Sequence, residues 1–244
     1  MARKVALLAR DVALLGMLVE RRAETLDYLH ERFFPDWTQK SARNRLHRLQ
    51  QGGYLVRTSA TLFGTDGRME SVYTLGPRAK RALEFRSAAG SEAFRGRRFN
   101  PTLRATSIDH QIMTNRVGDW LGAQLRPEHL LPSPPGPDAF RHRPDAVYAA
   151  SEPDRQGRQL VFLEVDLAHY SRERILGKVS AFLESKDARS ILLVTPSRER
   201  ARQVGGWVRD AYGEELMSRI QPLTFEQVRE GGYLRPGTEP SPSI

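Results

Sequence analysis

Apolar residues recur at positions 12, 14, 15, 18 and 19 of "RDVALLGMLVERR" (10–22), a spacing that predicts a helix. Thr25 is placed to cap a second helix, "LDYLHERFF" (26–34), which Pro35 ends. Thr38 or Ser41 opens a third, in which Ala42, Leu46 and Leu49 form one apolar face and Gly52-Gly53 ends the helix. Two β-like runs follow, "YLVRTSATLFG" and "RMESVYTLG", around a turn at Thr65-Asp66-Gly67. "PRAKRALEF" reads as a closing helix with Pro77 near its start.

The second half has a different rhythm. "TLRATSIDHQIMTNRVGDWLGAQL" (102–125) is amphipathic through Ile108, Ile112, Val117, Leu121 and Leu125. A Pro-rich loop (127–137) leads to a strand at 140–150, whose hairpin partner lies at 158–169 beyond the loop "SEPDRQG". A helix at 171–185, capped by Ser171, precedes a short apolar strand at 190–196. Another helix and a last strand-like run, "IQPLTFEQV", give the order α-β-β-α-β-α-β. In the middle of the apolar strand "LVFLEVDLAH" stand Glu164 and Asp166. Residues two apart in a strand share a face, so two carboxylates are directed together toward a core. Buried charge of that kind must be paired, hydrated or bound to metal.

The net charge is +9, and all of it lies in residues 1–100, while residues 101–244 sum to zero. The excess of arginine over lysine, 33 to 5, fits a GC-rich coding sequence but does not explain that asymmetry. A basic half beside a neutral half predicts a polyanion partner, double-stranded DNA, for the first half. Cysteine is absent, which excludes disulfides and zinc–thiolate sites. No signal-peptide pattern or run of 18 apolar residues is found, so the reading is a soluble cytoplasmic protein without a membrane partner.

Three helices followed by a two-stranded ribbon resemble a winged helix–turn–helix over about residues 8–86. A helix displaying arginine, asparagine and glutamine suits the major groove. The candidate DNA contacts are Lys40, Arg43, Arg45 and Arg48, with Gln39 and Asn44 as base readers and Arg68 in the wing turn. The alternative is a solvated, Arg-rich helix on a protein-interaction module. The small, polar and basic segment 87–102 reads as a linker, with Arg95, Arg97 and Arg98 able to follow DNA backbone, and 235–244 reads as a disordered tail.

The Pro-Asp at 144–145, followed by Glu-x-Asp at 164–166, resembles the PD-(D/E)xK nuclease superfamily. The resemblance implies a restriction-endonuclease-like α/β domain over 103–234, in which Asp145 and Glu164 hold Mg²⁺ or Mn²⁺. Asp166 stands where that family places its lysine, a departure, and Lys178 in the following helix is the candidate substitute. Chemistry alone supports the same set: Mg²⁺ takes a few carboxylates plus water, and Asp145, Glu164 and Asp166 would supply them. His110, on the preceding helix, is a further candidate member. The competing arrangement is a structural network of these acids with Arg141, Arg143, Arg172 or Arg174. Tyr170 as a relaxase nucleophile is disfavoured, because such enzymes need a histidine cluster and the six histidines here are scattered.

Taken together, "IDHQIMTNRV", "RPDAVY", "FLEVDLAHYS" and "LGKVSAF" behind a winged helix resemble the replication-relaxation family. That implies a two-domain α+β protein binding double-stranded DNA in plasmid or mobile-element replication, with replication or mobilisation proteins as partners and a homodimer left open. Three functions compete: a DNA-binding protein whose nuclease-like domain does not cut, a metal-dependent endonuclease or nickase, and a winged-helix transcription regulator.

Overall fold

The computed structural model describes residues 5–63, 66–87, 105–124, 144–150, 159–185 and 188–231. Among them the protein is mixed α and β, with eight α-helices and two sheets. None of the helices is long and apolar enough to cross a membrane. The chain divides into two compact units, Met1–Met113 and Thr114–Ile244. The expected linker beyond Ser87, the Pro-rich loop, the hairpin loop and the tail lie outside the described residues, as do Leu125, Arg141 and Arg143.

In the first unit, α1 (Ala9–Arg21) buries Leu14, Leu15 and Leu18. The chain leaves it through Arg22, at φ 67°, and enters β1 (Ala23–Thr25). This strand was not expected; three fully buried residues are too few for alternation to register. The Thr25 hydroxyl accepts from Tyr28 N–H at 3.2 Å and caps α2 (Leu26–Phe33). Thr38, rather than Ser41, caps α3 (Gln39–Gln51) by accepting from Ser41 N–H at 3.2 Å. β2 (Leu55–Thr61) and β3 (Met69–Leu75) form the hairpin, with Asp66 and Gly67 both at positive φ in its turn. β1 pairs antiparallel with β3, so the expected two-stranded ribbon is a three-stranded sheet in the order β1-β3-β2. α4 (Ala79–Ser87) adds Ala79 and Leu83 to the core formed by α1, α2 and α3.

Two features hold α3 in place. Gly53, at φ +76°, turns the chain out of the helix, and a Cβ on Gly76 would overlap the Gly53 carbonyl, so only glycine permits that approach. The second is an ion pair. Asp11, 1% exposed, accepts from its own helix start at Leu8 N–H (2.7 Å) and from Arg45 Nε (3.0 Å) and Nη2. Arg45 Nη2 also donates to the Ala6 carbonyl at 2.8 Å. The Asp11 hydrogen bond, ahead of its charge, holds the Arg45 guanidinium above its ordinary pKa although burial opposes it. Arg45, expected to grip DNA, is thus turned inward and ties α3 to α1.

In the second unit, a four-stranded sheet runs β4 (Ala146–Ala150), β5 (Gln159–Val165), β6 (Ala188–Thr195), β7 (Ile220–Thr224). β4 and β5 are antiparallel; β5–β6 and β6–β7 are parallel. The parallel pairs need crossovers, which α6 (Arg172–Leu183) and α7 (Arg198–Tyr212) provide. Leu160 and Phe162 of β5 face Ile175, Val179 and Phe182 of α6, and the Phe162 and Phe182 rings stack at 5.0 Å. A short helix, α8 (Phe225–Arg229), follows β7 where the sequence suggested only strand. Between the sheets in chain order lies α5 (Ala105–Gln124), inside which the two units meet in sequence. Its Ile108 and Ile112 pack with Ala23, Leu62 and Val72 of the first unit.

Removing one partner of a buried ion pair strands the other. Arg45→Ala should therefore lower unfolding stability by about 3–5 kcal/mol in urea titrations. Arg43→Ala, on the exposed face, should stay within about 0.5 kcal/mol. Gly76→Ala should cost about 1–3 kcal/mol in the same assay through overpacking against Gly53.

Candidate functional site

Helical geometry sorts the residues of α3. Ala42, Leu46 and Leu49 are buried, whereas Gln39, Lys40, Arg43, Asn44 and Arg48 are exposed on the remaining surface. Of the sequence candidates, Lys40, Arg43, Asn44 and Arg48 thus stand open to solvent, while Arg45 is engaged by Asp11. Gln39, though exposed, donates through Nε2 to Asp27 of α2 at 2.7 Å. Arg68 is exposed beside the turn of the hairpin. One basic residue was missed. Arg57 on β2 is exposed, donates from Nε to Ser71 at 3.1 Å and faces Tyr73 across the ladder. Burial raises the Tyr73 pKa, and the charges of Arg57 and Arg43 oppose the rise, which puts both arginines near one ring. Arg57 closes the same acid-free run as α3, but its register on the sheet is not visible in the sequence.

The second unit answers the question posed by the acidic strand. Asp145 stands just before β4; its N–H donates to Leu163 O at 3.0 Å, and its Oδ2 accepts from Val165 N–H at 2.8 Å. The pairing Ala146↔Leu163, continued by one step, puts Asp145 across from Glu164. Opposed residues of an antiparallel pair project to the same side. Glu164 follows Leu160 and Phe162 on the face covered by α6, and is 1% exposed. From α6, Lys178 brings its ammonium to Glu164 Oε2 as an ion pair. Asp145 and Glu164 therefore share a face of the sheet, and Lys178 reaches Glu164 from the helix that covers it.

The electrostatics of this trio follow from burial. Burial first, then the charge of Asp145, pushes the Glu164 carboxyl well above the usual carboxylate range, against the pull of Lys178. Asp145 can hydrogen-bond Glu164 only through a shared proton, which acts in the same direction. Burial also works to lower the Lys178 pKa, but the charges of Glu164 and Asp145 outweigh it, and the ammonium is held above its ordinary value. Glu164 Oε1 is buried and has no hydrogen-bond donor among the described residues.

Asp166 does not join them, contrary to the expected three-carboxylate set. β5 ends at Val165, and the chain then turns, with Ala168 at φ 66°. The Asp166 side chain accepts from Tyr170 N–H at 3.3 Å and from Arg200 Nε at 2.7 Å. Arg200 also donates from Nη2 to the Tyr170 carbonyl at 2.6 Å. Alternation fails because the strand stops before it reaches Asp166. Arg200, on α7, was not anticipated, since no local pattern connects it to an acid 34 residues earlier. Among the described residues the ion pairs to Glu164 and Asp166 come from Lys178 and Arg200.

The pinned loop carries Tyr170 to the edge of the trio. Its ring has the Lys178 ammonium 4.9 Å from its centroid and the Arg174 guanidinium at 4.0 Å. Burial raises the Tyr170 hydroxyl pKa, Lys178 opposes the rise, and Asp145 and Glu164 add to it. A raised pKa is the opposite of what a tyrosine nucleophile needs. His110 is half-buried on the part of α5 that belongs to the first unit, not to the unit holding the carboxylates. Among the described residues no group of three or more histidines and carboxylates is placed to hold a metal ion. A magnesium-type cation, however, needs only one or two carboxylates and completes its shell with water. Asp145 and Glu164, whose Oε1 has no hydrogen-bond donor among the described residues, are the two carboxylates that could serve.

The site can now be set beside known proteins. No curated protein matches the chain. Among solved structures, Bacillus subtilis PadR in complex with operator DNA is similar over 46% of this chain and 72% of its own, with 16% identity and a TM-score of 0.26. The family model described as replication-relaxation matches residues 15–186, which is more than half of the chain and includes α3, Asp145, Glu164 and Lys178. The chain belongs to the replication-relaxation family.

Proposed function

We propose that this protein binds double-stranded DNA through a winged helix–turn–helix in its first unit and cuts or nicks a DNA strand at a PD-(D/E)xK-like site in its second. We place it in plasmid or mobile-element replication, a reading that rests on the sequence resemblance; the family itself is described as replication-relaxation. The observation that carries the catalytic part is the convergence of Asp145, Glu164 and Lys178, with one buried glutamate oxygen left without a donor. For DNA binding, the support is the +9 charge of residues 1–100 together with the exposed Lys40, Arg43, Asn44 and Arg48 on α3.

Asp145 and Glu164 Oε1 would hold a divalent cation, which when bound polarises a phosphodiester and acidifies a water. Lys178 keeps its charge at neutral pH, because the two carboxylates hold it above its ordinary pKa. An ammonium at that place stabilises charge that develops on phosphate oxygens. Asp166, locked by Arg200, keeps the loop after β5 in position and so places Tyr170 over Lys178.

A second reading has its own observation. Lys178 already pairs with Glu164, and among the described residues no group of three metal-ligating side chains forms, which also suits a domain kept for binding without cutting.

Millimolar Mn²⁺ should raise the melting temperature, with about 2.7 kcal/mol of stabilisation at a hundredfold excess over Kd. Glu164→Ala should remove the shift. On the first reading Mn²⁺ also supports nicking of supercoiled plasmid, and Lys178→Ala abolishes nicking while keeping the shift. A shift without nicking selects the second reading; no shift at all removes the metal site. For the DNA interface, Arg43→Ala should weaken duplex binding by about 1–3 kcal/mol if it reads a base. If it grips phosphate, it should instead lower the salt slope by about 0.9. Gel-shift titrations at several salt concentrations separate the two, and unchanged binding would direct attention to another surface.

A further inference from the structure

Arg174 and Lys178 sit one turn apart on α6, on the line that begins with Tyr170 just before the helix. The three differ in what they touch. Lys178 is committed to Glu164. Tyr170 is half-buried, its backbone clamped at both ends: its N–H by Asp166 and its carbonyl by Arg200. Arg174 is exposed, and its guanidinium lies 4.0 Å from the Tyr170 ring centroid with no carboxylate or carbonyl partner among the described residues. An arginine held over an aromatic ring keeps its N–H donors available, because the contact uses its charge rather than a hydrogen bond to an acceptor atom. The contact also restrains the side chain, so an anion meets a held guanidinium rather than a freely rotating one.

The same ring touches the buried lysine of the trio and the exposed arginine, so it joins the site to its solvent edge. We propose that Arg174, held over the Tyr170 ring, is the phosphate-binding arm of the second unit: it grips a non-bridging oxygen of a nucleic-acid strand beside the Asp145–Glu164–Lys178 site. Tyr170 is its positioning residue, through the face of its ring and not through its hydroxyl. The role rests on the proposed strand-cutting site for its purpose, but the binding itself needs neither metal nor cleavage.

The test uses the full chain and a short single-stranded oligonucleotide in EDTA, so that no cutting occurs. Affinity is measured across a range of salt concentrations. One lost phosphate contact on a single strand lowers the slope of log K against log salt by about 0.7. Arg174→Ala should show that loss, Tyr170→Phe should keep the wild-type slope, and Tyr170→Leu should match Arg174→Ala. Because other arginines also meet the strand, the site is located directly: phenylglyoxal modification followed by peptide mass spectrometry should show Arg174 protected by the oligonucleotide. An unchanged slope in Arg174→Ala, or modification of Arg174 that the oligonucleotide does not slow, overturns the proposal. A Tyr170→Phe slope as low as that of Arg174→Ala overturns the role given to the ring face. Failure of the strand-cutting reading is seen elsewhere, in the absence of nicking with Mn²⁺, and leaves these slopes as they are.

Discussion

Antiparallel pairing of β4 with β5 puts Asp145 across from Glu164 on a face that α6 covers. Two like charges in that position repel, and one of them is 1% exposed. The arrangement is tenable because α6 delivers a cation to the same place. Ile175, Val179 and Phe182 turn into the core, and helical spacing then puts Lys178 beside Val179 and over Glu164. Moving α6 by one residue would take Lys178 away from Glu164. A buried ion pair contributes little net stability, because the attraction of the two charges must offset the desolvation of both.

The first unit faces the same physics with a different outcome. Arg43 and Arg45 are two residues apart on α3, which in a helix means roughly opposite sides. Arg43 points to solvent, and Arg45 meets the buried Asp11 of α1. Both are arginines in an acid-free run, so local sequence cannot tell them apart. What separates them is an acid 34 residues earlier in the chain. The pair fixes α3 against α1, and so sets the direction in which Arg43, Asn44 and Arg48 face outward.

Much of the architecture was legible because it rests on local rules. Helical spacing gave α1, α3 and α5; Thr25 and Ser171 capped their helices; and the β4–β5 hairpin followed from two apolar runs around a polar loop. Asp145, Glu164 and Lys178 stand out in the sequence, as two acids in apolar runs and one of five lysines. What stayed hidden depends on distant partners. β1 is three residues long and exists because β3 pairs with it. Alternation makes Asp166 a neighbour of Glu164 only where the strand continues, and it stops at Val165. Arg200 reaches Asp166 across a whole βα unit, and nothing near either residue announces it.

Two acids two residues apart thus end in opposite roles, and the difference comes from where the strand ends. Glu164, still inside β5, inherits the core-facing direction and needs a partner from above. Asp166, one step past the strand, spends its oxygens on a loop N–H and a guanidinium. Yet the second role serves the first. The loop that Asp166 and Arg200 pin includes Ala168 in the left-handed region, a conformation that costs energy for a residue with a Cβ. That cost is tolerable only where other bonds hold the loop, and here they hold it so that Tyr170 faces Lys178. A polar clamp outside the site thereby sets the position of the ring against which the site's lysine rests.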